Sequence, residues 1–280
     1  MRRRDVLLGF ASAALVGCPR TPGAVAPGPT RAERAAPAKV RLGWRWIPGT
    51  AYTFDSIITR NTGDVLITRG ESWTYTAREL DSNGVVLLHG MLGGFGAAIE
   101  VNGDPLPEPR MRPAREAARD ATPTEVELRM RLTGRLISCS IEDFAGSLPH
   151  RLLAMHMPSD PVPPGTSWED PALALAFAQL IPVELPVRIT ARTTLSRFGE
   201  VEKGWEARLD HQAVISTTDD GPAVLISGYS AWDADLGALT SRRLDVHLEP
   251  VDVTSETRLG TLRIELHRKI RNNPPVVPGA

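Results

Sequence analysis

Glu125-Val126-Glu127-Leu128-Arg129-Met130-Arg131-Leu132-Thr133 is the stretch whose reading decides the fold. Val126, Leu128, Met130 and Leu132 fall on one side of an extended chain, and Glu127, Arg129 and Arg131 on the other, because successive strand side chains point to opposite faces. Such a segment belongs to an antiparallel sheet with one face on a core and the other in water. The same period recurs on either side of it. Trp73, Tyr75 and Ala77 alternate with Ser72, Thr74, Thr76 and Arg78. Asp81-Ser82-Asn83-Gly84 then supplies an Asn-Gly turn, and Val85 to Met91 returns as the partner strand. Leu42, Trp44 and Trp46 share a face ahead of a Pro48-Gly49 turn, and Tyr52 and Phe54 share the next. Further strands read at 187–197, 205–215, 223–232, 238–248 and 259–270, with turns at Gly199–Gly204, Asp219–Pro222 and Asp233–Gly237. Ten or more short strands joined by tight turns predict a mainly β fold, either an antiparallel sandwich or an open half-barrel.

One short apolar helix interrupts this pattern. Asp170 is placed to cap it, Pro171 to begin it, and the run continues to Ile181 before Pro182 stops it. A helix that is apolar on nearly every side must be enclosed. Either it is sandwiched between β segments, or one face packs on the sheet while the other lines a groove for an acyl chain. On the second reading Leu173, Phe177 and Leu180 are the candidate ligand-binding residues. Arg112 to Asp120 reads as a short exposed helix inside a linker-like stretch, Gly103 to Pro123. Ile47-Pro48-Gly49-Thr50-Ala51-Tyr52 and Pro163-Pro164-Gly165-Thr166-Ser167-Trp168 mark the starts of two similar halves, split near residue 158.

The chain begins with Arg2-Arg3-Arg4, followed by an apolar run from Val6 to Gly17 too short to span a bilayer. Arg3-Arg4-Asp5-Val6-Leu7 resembles a twin-arginine export signal, with Arg3 and Arg4 as its paired arginines. Leu15-Val16-Gly17-Cys18 resembles a bacterial lipobox, which implies cleavage before Cys18 and acylation of that cysteine. Pro19 to Lys39 is rich in Pro, Gly and Ala without apolar period, so it reads as a flexible spacer. The expected organisation is therefore a signal peptide over 1–17, a lipidated Cys18 and tether over 18–41, a β-rich domain over 42–271 and a tail over 272–280.

Composition narrows the function classes. Apolar residues make up 42% and charged residues 23%, as in a globular domain. Besides Cys18 there is one cysteine, Cys139, so no disulfide framework and no cysteine metal site forms within one chain. Residues 19–41 carry +4, from Arg20, Arg31, Arg34, Lys39 and Arg41 against Glu33. Residues 1–18 carry +2, which leaves −7 on 42–280 for a chain of net charge −1. A mildly acidic body on a basic tether is a poor partner for nucleic acid.

The catalytic motifs are incomplete. Val85-Val86-Leu87-Leu88-His89-Gly90 resembles the His-Gly segment that carries the oxyanion hole of α/β-hydrolases. The matching nucleophile elbow would be Gly228-Tyr229-Ser230-Ala231-Trp232, where tryptophan replaces the last small residue and no βαβ alternation surrounds it. His150 and His156 read as solvated loop residues, and His211 shares strand parity with Trp205, Ala207 and Leu209, which points it inward unless a bulge intervenes. Asp233-Ala234-Asp235-Leu236-Gly237 begins like a calcium loop, but its glycine comes early and the glutamate is absent, so it reads as a hairpin turn. No catalytic residue, metal ligand or cofactor is assigned.

The Pro-Gly-Thr entries, the Trp-ended turns and the Asp-Ala-Asp-Leu-Gly turn resemble those of uncharacterised β-rich bacterial envelope lipoproteins. A β wall with one apolar helix is also similar in architecture to the periplasmic lipoprotein-carrier half-barrels. The resemblance implies a non-catalytic protein of the bacterial cell envelope, facing the periplasm or the outside and held to the lipid bilayer through Cys18. It would bind an apolar or amphiphilic ligand or an envelope protein. The alternatives are a purely structural lipoprotein and, more remotely, a serine hydrolase.

Overall fold

A computed structural model describes residues 37–178, 187–202, 204–217, 223–249 and 260–269. The signal segment with Arg3 and Arg4, the acylation site Cys18, most of the tether, Leu180, Ile181, the Asp219–Pro222 turn and the tail from Asn272 lie outside the described residues.

The chain is mainly β, with twelve strands in one open antiparallel sheet that does not close into a barrel. In order these are β1 (Ala51–Asn61), β2 (Val65–Leu80), β3 (Val85–Val101), β4 (Asp104–Pro105), β5 (Glu125–Arg131), β6 (Leu136–Cys139), β7 (Ser167–Glu169), β8 (Val187–Val201), β9 (Gly204–Thr217), β10 (Ala223–Asp233), β11 (Ala238–Glu249) and β12 (Thr261–Lys269). Across the sheet they run β6-β5-β3-β2-β1-β12-β11-β10-β9-β8-β7, with β4 paired to β3. Three helices interrupt them: α1 (Glu108–Asp120), α2 (Phe144–Arg151) and α3 (Pro171–Leu175). The expected strand positions hold, but the strands are longer than the short ones read from the sequence; β2 and β3 have 16 and 17 residues.

Period-2 burial drives the sheet. In β5 Val126, Leu128 and Met130 are buried between exposed Glu125, Glu127, Arg129 and Arg131. Every long strand contributes inward residues to one continuous core with α2, α3 and the extended segment Val40–Trp46. That segment is not the sheet strand its alternation suggested. Its residues alternate in burial, but Trp44 N–H donates to Leu132 O just past β5, and Arg45 N–H donates to Gly237 O in the β10–β11 turn. In a flat sheet those two places are five to six strand steps apart, roughly 25–29 Å, whereas consecutive residues sit about 3.8 Å apart. The sheet is therefore curled into an open barrel, and Val40–Trp46 lies across one end of it. Trp44 stacks on Trp46 at 5.2 Å and meets Trp232 edge-on at 4.9 Å.

The two halves repeat their irregularities. Thr50 and Thr166 each return N–H and Oγ1 bonds to the carbonyl three residues back, Ile47 and Pro163, around Gly49 (φ 87°) and Gly165 (φ 89°). Glycine is needed there because the third residue of such a turn is left-handed. Gly49 and Thr50 pair with Ala77 as Gly165 and Thr166 pair with Leu195. A bulge follows at Arg78 and, correspondingly, at Ser196. A second bulge falls at Ile137 between β5 and β6 and at Thr240 between β10 and β11. Thus β1, β2, β3, β5 and β6 correspond to β7, β8, β9, β10 and β11.

The stretch 103–123 is not a linker. It holds β4 and then α1, which starts at Glu108, earlier than the predicted Arg112, because Pro109 is tolerated in a first turn. Met111 buries the helix.

Candidate functional site

The sheet is open where β6 and β7 would meet, and the chain between them crosses that seam. Met155 N–H donates to Gly134 O and Met157 N–H to Thr133 O, which ties the crossover to the β5–β6 turn. The Trp168 indole donates to His156 O at 2.6 Å, which ties it to β7. A cleft of about 430 Å³ remains in the seam, a volume within the range of small-molecule sites. Its walls are Arg135 just before β6 and Leu136 at its start, Arg151 at the end of α2, Ala154 and His156 on the crossover, Pro171, Ala172 and Leu175 on α3, and Ala176 just after it.

The α3 segment divides its residues between core and cleft. Leu173, Ala174 and Phe177 are buried against the sheet, whereas Leu175 is 53% exposed. Leu173 and Phe177 are therefore core residues and do not line the cleft. The cleft is lined by Pro171, Ala172, Leu175 and Ala176, of which Leu175 is exposed and Ala176 is itself buried. The regular helix covers five residues, shorter than the predicted run to Ile181, and Asp170 makes no side-chain cap.

The Asp170 carboxylate is engaged elsewhere. It accepts from His156 N–H at 3.0 Å and from Thr193 Oγ1–H at 3.0 Å. Because the Thr193 hydroxyl proton is given to Asp170, His211 Nδ1–H donates to Thr193 Oγ1 at 2.9 Å. Neutral His211 then accepts at Nε2 from Ser230 Oγ–H at 2.7 Å, and Ser230 Oγ accepts from Arg242 Nε–H at 2.9 Å. Arg242 Nη1 also donates to the carbonyls of Leu152 and, at 3.0 Å, Ala154. The donors run in one direction from guanidinium to carboxylate, and Asp170, Thr193, His211, Ser230 and Arg242 are all buried.

Electrostatics agree with this assignment. Burial, reinforced by Arg242, holds the His211 imidazole well below its ordinary range, so it is neutral at pH 7. Burial lowers Arg242 to about 10, opposed by Asp170, and leaves it cationic at pH 7. Burial raises Asp170 against the bonds from His156 and Thr193 and the charge of Arg242. The network fixes Leu152, Ala154 and His156 from below, and so sets the floor of the cleft.

Sequence reasoning found His211 pointing inward but not its partner. His89 is on the outer face of β3, 3.5 Å from Glu125, and is not brought to Ser230. The serine and histidine that do meet are Ser230 and His211, and Ser230 is fully buried. His150 is not solvated. It sits in α2, accepts from or donates to Tyr75 Oη at 2.8 Å, and packs edge-on to Trp73 at 4.5 Å. Burial, then the charge of Arg69, lowers it to about 3. Its missed signal was Pro149, which discouraged a helix here. His156 is exposed as expected. The turn at Asp233–Gly237 is a hairpin turn, with Asp233 accepting from Leu236 N–H at 2.9 Å.

No family model matches the chain, and no curated protein is significantly similar to it.

Proposed function

We propose that this chain is an envelope lipoprotein, anchored in the bilayer through acylated Cys18, whose open barrel binds an amphiphilic ligand in the seam cleft without transforming it. The observation that carries the reading is the cleft itself, an apolar α3 face opposite a polar rim, held open by a buried network that uses its hydrogen-bonding capacity on the cleft floor. The sequence supports the anchor: small residues precede Cys18, and a proline-rich spacer follows it. Several acyl chains give stable membrane residence where one is marginal. Binding is favoured over turnover because the Ser230 hydroxyl is buried and also bonded to Arg242, away from any solvent-borne carbonyl.

The ligand reading is tested with the full chain carrying Cys18→Ser and the uncharged apolar probe N-phenyl-1-naphthylamine. Saturable one-to-one binding is expected, with loss of binding in Ala172→Trp, which fills the cleft, and in Leu175→Glu, which places a charge on its apolar wall. Folded wild type that never enhances the probe's fluorescence refutes the ligand reading. The anchor is tested by palmitate labelling, expected in wild type and absent in Cys18→Ala. Hydrolysis of p-nitrophenyl esters that Ser230→Ala abolishes would overturn the non-catalytic part.

A further inference from the structure

We infer that the seam cleft selects a single-chain amphiphile with a carboxylate headgroup, with Arg135 and Arg151 as the headgroup-binding pair and the α3 face as the chain-binding wall. The inference rests on the ligand reading above and adds the ligand's charge and class. Both arginines line the cleft, and among the described residues lining it none is acidic. Two like charges lining one cleft repel each other, and a bound anion relieves that cost. Among the described residues no carboxylate pairs with either guanidinium group. Arg151 gives its Nε–H to Ser147 Oγ at 3.0 Å, which orients the side chain and leaves the Nη groups available. Arg135 is exposed at the rim, where β6 begins.

The polarity of the cleft sets the ligand's orientation. The arginines come from just before β6 and the end of α2, on one side of the seam. Ala172, Leu175 and Ala176 come from α3 and the residue after it, on the other. A headgroup placed between the guanidinium groups therefore leaves its chain along α3. Arginine binds a carboxylate through paired N–H donors, an arrangement that an uncharged amide cannot reproduce. A cleft of about 430 Å³ matches a site for one chain better than one for a multi-chain lipid.

The test uses three fluorescent probes on the full chain with Cys18→Ser: 11-(dansylamino)undecanoic acid, its primary amide, and the matching alkyl phosphate. The acid is expected to bind about tenfold more tightly than the amide, as befits a charge-assisted contact. Arg135→Gln alone should narrow that ratio, and Arg135→Gln with Arg151→Gln should reduce it below about threefold by weakening the acid far more than the amide. Circular dichroism of both variants should match wild type, and the Arg135 variant, altered only at an exposed side chain, stands if the double variant fails to fold. Equal affinity for acid and amide overturns the headgroup assignment and leaves the apolar cleft intact. Tighter binding of the phosphate than of the acid overturns the carboxylate class. Failure of all three probes, together with N-phenyl-1-naphthylamine, removes the ligand reading and this inference with it.

Discussion

In the N-terminal half Ala77, Leu88, Leu128 and Cys139 lie side by side across β2, β3, β5 and β6. In the C-terminal half the bulges align that row with Leu195, Leu209, Ser230 and Arg242. The neighbouring row is Tyr75, Gly90 and Val126 in one half and Thr193, His211 and Gly228 in the other. Volumes compensate within each. A Cβ on Gly90 would stand 2.6 Å from Val126 Cγ1 and 3.0 Å from the Tyr75 ring, so the tyrosine occupies the space glycine leaves. Across the barrel the bulk moves to His211, and Thr193 and Gly228 flank it. One pattern of turns and bulges thus accepts an almost apolar filling or a polar one, provided the polar groups close on each other. The N-terminal half keeps its own ion pair, a buried Glu71 with a partly exposed Arg69, farther along β2, where Trp73 Nε1–H also donates to Glu71 at 2.6 Å. What the C-terminal row adds is reach, because Arg242 extends from the wall to the crossover carbonyls.

The largest contrast is expected at the ends of the matching rows. Arg242→Ala leaves Ser230 and the carbonyls of Leu152 and Ala154 without their donor and Asp170 without its buried counter-charge. A loss of about 3–5 kcal/mol in urea unfolding is expected, the usual cost of breaking a buried charge network from one side. Cys139→Ala, at the matching position, removes one half-buried thiol and is expected to cost less than about 1 kcal/mol. Equal costs would break the comparison, since the polar row would then hold nothing that the apolar row does not.

Acid acts next, on one buried histidine in each half. His150 and His211 are both held neutral by burial, so the unfolded chain takes up protons that the folded chain refuses once pH falls below 6.5. Their contribution is full above that value and declines by about 1.4 kcal/mol per unit per histidine as pH falls, down toward each folded value. For His150 the decline runs to about pH 3. Asp170 acts in the opposite sense, because its raised value makes the folded chain bind a proton first in the window just above 3.8. Unfolding free energy measured from pH 7 to 5 should therefore fall, and His150→Gln and His211→Gln should each reduce the slope. An unchanged slope in either variant would mean that this histidine is not kept neutral.

Strand positions were legible because one face of nearly every strand is buried, and burial imposes period 2 on the sequence. Residues 205–215 and 238–248 were placed within two residues of β9 and β11 for that reason. The same period misled at Leu42, Trp44 and Trp46, where the alternation is real but the hydrogen bonds go to two distant turns. Nothing in a local pattern distinguishes a strand from an extended plug. The helix at 171 was legible as apolar but not in its orientation, since Leu173, Phe177 and Leu175 look alike until the packing partner is known. Ser230 and His211 lie on strands the sequence identifies, but their meeting depends on the β9–β10 register, which the alternation of each strand alone does not fix. Arg135 and Arg151 had no signal at all, because a cleft at a barrel seam gathers residues from elements that are far apart in sequence.

The smallest effects come from the two hydroxyls at matching positions, Thr193 and Tyr75. Thr193→Val keeps the shape but removes the donor to Asp170 Oδ2 and the acceptor for His211 Nδ1–H, and so leaves two buried groups short. About 2 kcal/mol is expected. Tyr75→Phe removes a single bond, to His150 Nδ1, from a histidine whose Nε2 has no partner among the described residues, and about 1 kcal/mol is expected. The two also differ in what they transmit. Thr193 stands between His211 and the carboxylate that holds His156 N–H, so its loss should loosen the cleft floor and weaken N-phenyl-1-naphthylamine binding severalfold. Tyr75 bonds His150, whose side chain is not among the cleft's lining residues, so Tyr75→Phe should leave probe affinity within about twofold of wild type. Urea midpoints and probe titrations on the same two variants decide it. If Tyr75→Phe weakens probe binding as much as Thr193→Val, the cleft floor is set by both halves and not by the polar row alone.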